Sequence, residues 1–189
     1  MIQGISNWFL KIYKSRSNLD YDDEIFIYGI EVMITSLLNI FLLLFIGIIS
    51  GTVNQAIVYF GSYAFLRKFI GGYHCNTNFK CIAFNVSKYI IFVCIYPHIM
   101  INEIIMMLII TITLVLIIFK APFEHKNRLI NDNEKSVYKK YSFIITSFYA
   151  VIILLSSTYS HILSYVLVVI DLSSIPCIIE SYGKSSKNV

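Results

Sequence analysis

Six stretches of this chain run almost without a charge for about 14 to 25 residues each, and the longest can cross a hydrocarbon core of roughly 30 Å. No other feature narrows the fold as much. In hydrocarbon, backbone N–H and C=O groups must bond within the protein, so only helices and closed barrels span it. Barrel strands alternate apolar and polar residues, whereas these runs are continuously apolar. Composition agrees. The 189 residues are 57% apolar and 14% charged, against about 45–50% and about 25% in soluble domains. The expected architecture is all-α: a polytopic helical bundle in a cell membrane, forming one membrane domain over residues 1–189. Within it we expect an interfacial helix at 1–16, a transmembrane bundle at 25–179 and a polar, disordered tail at 180–189.

The first run extends from about Ile25 to Ile49, and Gly51, Thr52 and Asn54 turn the chain. The second, Val53 to Leu66, is short for a span and is thin, tilted or partly re-entrant. The third covers Ile82 to Tyr96, the fourth Ile104 to Phe119, the fifth Tyr141 to Leu155 and the sixth Ile162 to Ile179. Lys and Arg fall in four places: the N-terminus, the segment from Arg67 to Lys80 with Lys88 just beyond, the loop from Lys120 to Lys140, and the tail. The turns near 51–54, 97–103 and 156–161 carry none. With six spans every basic segment lies on one side, and the positive-inside bias makes that side cytoplasmic, with both termini. Four spans, with the second and third runs re-entrant, give the same sidedness.

Other classes recede. A net charge of +4 does not suggest a nucleic-acid partner. Cys75, Cys81, Cys94 and Cys177 show no framework spacing, so a reduced, cytoplasm-facing protein is expected. The segment Met1 to Lys14 lacks the uninterrupted apolar core and cleavage site of a signal peptide. Ile2, Ile5, Trp8, Phe9 and Ile12 recur at helical spacing beside Lys11 and Lys14, which predicts a helix lying on the membrane surface.

Between Arg67 and Cys81 the apolar pattern stops, and Gly71, Gly72, His74, Cys75 and three cations, Arg67, Lys68 and Lys80, fall within fifteen residues. A histidine and a cysteine are the minimum for thiolate chemistry. On one continuous helix, His74 and Cys81 would stand roughly 10 Å apart, and proton transfer needs about 2.6–3.2 Å or a bridging water. The chain must therefore turn between them, and Asn76-Thr77-Asn78 is poor helix and good cap. With Asn78 as the cap, Cys81 lies in the first turn of the next helix, where exposed N–H groups favour a thiolate. Those N–H groups, or the Arg67 side chain, are candidate oxyanion donors. A zinc site on His74, Cys75 and Cys81 lacks a fourth nearby ligand, so no metal and no cofactor are expected. The plain alternative is a loop histidine and a small buried cysteine.

Arg67, Gly71-Gly72-x-His74 and Cys81, in that spacing and ahead of an apolar span, resemble the accessory gene regulator B family of Gram-positive quorum sensing. Ala121-Pro122 directly after a span, then Asn127-Arg128 and a Lys/Glu-rich stretch, match as well, as do the size, the six apolar segments and the amphipathic N-terminus. The resemblance covers nearly the whole chain. It implies a membrane-embedded cysteine endopeptidase that cuts the C-terminal part from a membrane-anchored propeptide and promotes cyclisation of the rest. It also implies a homodimer. By residue match, Cys81 is the nucleophile and His74 its partner. Arg67, Gly71 and Gly72 support the motif, and Lys120, Pro122 and Arg128 are supporting positions in the long loop. Two departures stand out: position 75 is usually small and is Cys75 here, and Asn127-Arg128 is followed by Leu129 where the family often has proline.

Glu31, Glu103 and Asp171 lie in or beside the apolar runs, and a carboxylate in a bilayer is costly. For Asp171, a relay or substrate contact stands against an interhelical hydrogen bond. Glu103 reads as a turn residue. The runner-up function, a small transporter or exporter coupled through Asp171 and Glu31, leaves the Gly-Gly-x-His…Cys segment without a purpose. A non-catalytic membrane scaffold comes third. The basic loop from Lys120 to Lys140 reads either as ordinary positive-inside charge or as a dock for an acidic substrate tail.

Overall fold

The computed structural model describes residues 2–16, 22–72, 77–95, 98, 101–123 and 131–185. Among them are seven helices: α1 (Ile2–Arg16), α2 (Asp23–Ile49), α3 (Val53–Ile70), α4 (Asn78–Ile95), α5 (Glu103–Lys120), α6 (Asp132–Leu155) and α7 (Ser157–Ser185). They form the expected helical bundle.

Five of them, α2, α4, α5, α6 and α7, are long and apolar enough to cross a membrane. Helix α3 has the length but not the apolarity, since it carries Asn54, Gln55, Ser62, Arg67 and Lys68. It packs on α2, α6 and α7, and Ala56, Tyr59, Leu66 and Ile70 are almost wholly buried. The short second run is thus an inner helix of the bundle. Large apolar side chains such as Phe41, Phe119 and Leu155 remain exposed on the perimeter, as lipid contact requires.

Helix α7 is the centre. More than half (56%) of its most apolar stretch is buried, against 17–28% in the other candidate spans. Lipid tails are as apolar as leucine, so helices in a bilayer gain by close packing rather than by hiding from water. Ser160, Ser164, Ser173 and Ser174 on α7 are all buried and allow neighbours to approach. Val166, Leu167 and Ile170 fill the space between. An aromatic group joins α3, α4 and α7: ring centroids lie 5.3 Å apart for Tyr59–Tyr89 and 5.1 Å for Phe92–Tyr165. The Tyr89 hydroxyl donates to the Thr52 carbonyl at 2.9 Å, and the Tyr165 hydroxyl to the Lys88 carbonyl at 2.6 Å.

Three expectations need correction. The polar tail is not disordered from residue 180, because α7 continues to Ser185. Adding a residue to an existing helix costs far less than starting one. Lys88 does not belong with the loop cations. It lies roughly 15 Å along α4 from Asn78 by helical rise and is only 8% exposed. The cap of α4 is Thr77 rather than Asn78: the Lys80 N–H points to the Thr77 hydroxyl at 3.3 Å and the Cys81 N–H to its carbonyl at 3.1 Å.

The N-terminal segment is helical, as its apolar spacing predicts. Helix α1 packs on α2, with Tyr13 stacked on Phe26 at 4.8 Å and Lys14 paired to Asp23, while Trp8 stays exposed.

Candidate thiol site

The site is built from the C-terminal end of α3 and the first three turns of α4. Helix α3 stops at Gly71, whose φ of +80° favours a residue without Cβ. There the chain forms a parallel bridge to Phe123, and the Phe123 N–H donates to the Ile70 carbonyl at 2.8 Å. A Cβ at position 71 would lie 2.3 Å from the Phe123 carbonyl oxygen. This contact, made across fifty residues of sequence, fastens the segment after α5 to the start of the Gly-Gly motif. Gly72 has φ +126° and is less crowded: a Cβ there would lie 3.6 Å from the Ser173 carbonyl oxygen of α7.

Beyond Gly72 the motif leaves the described residues. His74, Cys75 and Arg128 all lie outside them, so the proximity of His74 to Cys81 stays an expectation. The helix that bears Cys81 begins at Asn78, directly after a bend at Thr77.

Cys81 is half-buried and is the fourth residue of α4. Its own N–H is taken by Thr77, and that of Lys80 points to the Thr77 hydroxyl. Those two groups therefore do not serve as the oxyanion donors the sequence suggested. The side chain of Asn78 instead reaches the Glu31 carboxylate of α2 at 3.3 Å, which gives that intramembrane acid a partner.

Around the sulfur lies a polar chain. The Asn85 amide nitrogen donates to Cys81 Sγ at 3.8 Å, within sulfur hydrogen-bond range. Lys88 Nζ donates to the Asn85 amide oxygen at 3.4 Å and to the Tyr63 hydroxyl at 2.9 Å. Arg67 donates to the same hydroxyl, with its guanidinium 5.4 Å from the Tyr63 ring centre. Tyr63 is close enough to Cys81 for the two to interact electrostatically, and it also contacts Ser173. Lys88 sits 4.0 Å from the centre of the Phe84 ring and 4.8 Å from that of Tyr63. Of the residues singled out in sequence, the structure thus brings Arg67 and Cys81 into one network.

Three members of that network, Tyr63, Asn85 and Lys88, were not among the site residues expected from the sequence. The signal was present. Cys81, Asn85 and Lys88 recur at i, i+4 and i+7, which places them on one face of a helix, and Tyr63 and Arg67 are four apart.

Lys120 and Pro122 fall elsewhere. They line a cavity of about 540 Å³ with Phe123, Lys135, Lys139 and Cys177, where the end of α5 meets the start of α6 and the flank of α7. The Gly71–Phe123 bridge ties one wall of this cavity to the Gly-Gly motif. Asp171, the deepest acid in the sequence, accepts a hydrogen bond from the Thr113 hydroxyl of α5 at 2.7 Å. Glu103 opens α5 in the first turn, after Asn102, whose side chain accepts from the Ile104 N–H at 3.4 Å.

A family model described as accessory gene regulator B matches residues 5–178. No curated protein and no solved structure matches the chain.

Proposed function

The chain belongs to the accessory gene regulator B family, which acts in the processing of a quorum-sensing peptide, and from that premise we propose that it is a membrane-embedded cysteine endopeptidase with Cys81 as nucleophile and His74 as its base. The observation that carries this reading is the setting of Cys81: a half-buried thiol at the start of an apolar helix, with an amide donor on its sulfur and two cations in the same network.

The reaction has three steps. His74 takes the Cys81 proton, and Sγ attacks a backbone carbonyl of a membrane-anchored propeptide. The C–N bond then breaks as His74 returns the proton to the leaving amine, which frees the C-terminal fragment and leaves an acyl-thioester. A nucleophilic side chain of the bound peptide attacks that thioester, closes a ring and releases Cys81. A cysteine in that role gives a thiolactone. One thioester replaces another, so the exchange is nearly balanced, and removal of the fragment drives it. Recession among apolar helices keeps water from the intermediate. The distribution of Lys and Arg supports placing both termini and the segment from Gly71 to Cys81 on the cytoplasmic side.

Intact-protein mass spectrometry after co-expression with the propeptide tests the assignment. An acyl adduct with the mass of the N-terminal peptide fragment is expected on Cys81. An adduct confined to Cys75, or cleavage that proceeds through no protein adduct, would sink it.

The cavity at Lys120, Lys135 and Lys139 suits an acidic peptide segment. Single exposed charges contribute little, so the three are changed together. Replacing all three by Glu is expected to raise the propeptide KM about tenfold with kcat within about twofold, an effect of roughly 1.4 kcal/mol spread over three rim contacts. An unchanged KM would assign these lysines to topology alone.

The transporter reading makes the opposite demand on Asp171. Its carboxylate is engaged with Thr113, and an amide can accept the same bond. Asp171→Asn is expected to keep propeptide cleavage within about threefold, since one neutral-for-charged acceptor costs about 1 kcal/mol or less. Loss of function in this variant with the Cys81 chemistry intact would favour transport.

A further inference from the structure

We propose that Asn85 and Lys88 are positioning residues for the Cys81 thiol: the buried ammonium of Lys88, acting through the Asn85 amide, holds the sulfur in its anionic, nucleophilic form. The inference rests on Cys81 being the nucleophile and adds the device that activates it.

Three observations point the same way. The first is register. Cys81, Asn85 and Lys88 stand at i, i+4 and i+7 on α4, and the contacts run in sequence along that face. Lys88 Nζ donates to the Asn85 oxygen at 3.4 Å, and the Asn85 nitrogen donates to Sγ at 3.8 Å. An amide whose oxygen faces a cation is polarised, and its N–H₂ becomes a stronger donor. A donor on sulfur favours thiolate over thiol.

The second is burial. Lys88 is 8% exposed and Tyr63 6%. An ammonium so placed has left most of its hydration shell, a costly position in an apolar medium. Fields in such a medium are weakly screened, so a charge one amide away from a sulfur acts on it far more than it would in water. A lysine needed only to mark the cytoplasmic side would serve at the helix end, where water can reach it.

The third is the support behind Lys88. The Tyr63 hydroxyl accepts from both Lys88 and Arg67. The rings of Tyr63 and Phe84 lie 4.8 and 4.0 Å from Nζ, and the Tyr165 hydroxyl of α7 holds the Lys88 carbonyl. The ammonium is therefore held from α3 and α4, and the Lys88 backbone is anchored from α7. Among the described residues, the charged and titratable groups that flank this end of α4 include Arg67 and Tyr63 on α3, Lys80 and Lys88 on α4 itself, Tyr165 on α7, and Glu31 on α2, engaged by Asn78.

Alkylation of Cys81 by iodoacetamide, followed against pH, tests the proposal without any substrate. The full chain is used in lipid nanodiscs, with Cys75, Cys94 and Cys177 replaced by Ser so that one thiol reports. Lys88→Met is expected to alkylate about five- to tenfold more slowly at pH 7, with the deficit closing as pH rises and the thiol ionises in both proteins. Lys88→Arg, which keeps the charge, is expected to recover most of the rate. Asn85→Leu removes the bridge while leaving Lys88 in place, and is expected to show the same pH-dependent deficit. A parent-like profile in Lys88→Met or in Asn85→Leu overturns the proposal. So does a deficit that persists unchanged at high pH, because that marks altered access rather than altered ionisation. The profile is read apart from cleavage, so the device can fail while Cys81 remains the nucleophile. Conversely, cleavage that survives in Cys81→Ala removes the nucleophile assignment whatever the profile shows.

Discussion

Cys81→Ala is expected to leave a co-expressed propeptide uncut, with a rate loss on the order of 10⁴-fold or more. Removal of a nucleophile ends covalent catalysis altogether, and what survives comes from binding and electrostatic stabilisation alone. His74→Ala is expected to cost less, about 10²–10⁴-fold, because the thiolate retains some nucleophilicity without its base. Cys75→Ala should process normally. The pattern across the three variants matters more than any one of them. A transporter or a scaffold has no reason to depend on two side chains of a polar segment and to ignore a second thiol between them. The measurement is the mass spectrum of the peptide, with protein folding checked by monodispersity in detergent. Cleavage at the parent rate in a folded Cys81→Ala protein would falsify the endopeptidase reading, and Asp171 would become the next residue to probe.

Gly71→Ala is expected to lower processing about a hundredfold without touching a reacting atom. Two costs add. The φ of +80° with ψ of −148° is a conformation that residues bearing Cβ rarely hold, at about 1–3 kcal/mol. The new methyl would also stand 2.3 Å from the Phe123 carbonyl oxygen, a backbone atom that cannot rotate away. The bridge between Gly71 and Phe123 must open, and the segment leading to His74 then starts from a displaced end. A misplacement near 1 Å in a catalytic constellation costs about a hundredfold. Gly72→Ala is the matched comparison. Its Cβ would meet Ser173 atoms at 3.6 Å and beyond, an ordinary contact, so only the backbone conformation resists. The expected order is therefore Gly71→Ala worse than Gly72→Ala in both thermal stability and cleavage. Equal, mild effects would show that the bridge is not needed for activity.

Much of the architecture was legible in the chain. A run such as Ile104 to Phe119 is apolar on nearly every side, and a helix that is apolar all round can only be surrounded by lipid or by other helices. The break at Thr77 and the start of α4 were legible within one residue, because Asn and Thr compete with the helix for their own backbone. The chemistry-bearing types, His74 and Cys81, were legible as a pair because few residues can do thiolate chemistry at all.

Tertiary structure decided the rest. That Val53–Ile70, a helix not apolar enough to count among the candidate spans, lies inside the bundle follows from its partners: tyrosines 59 and 63 find rings and donors on α4 and α7, and hydropathy alone does not register such pairings. The sequence grouped Lys88 with the loop cations, since counting charge treats every lysine as a surface marker. Only the placement of Tyr63 and Asn85 shows a buried ammonium, linked to the Cys81 sulfur through one amide. Likewise, nothing near Gly71 in sequence announces Phe123, fifty residues on, as the group that forbids a side chain there. Periodicity is local and is written into the chain, whereas the neighbour that gives a buried charge or a glycine its purpose comes from another helix and exists only once the bundle has closed.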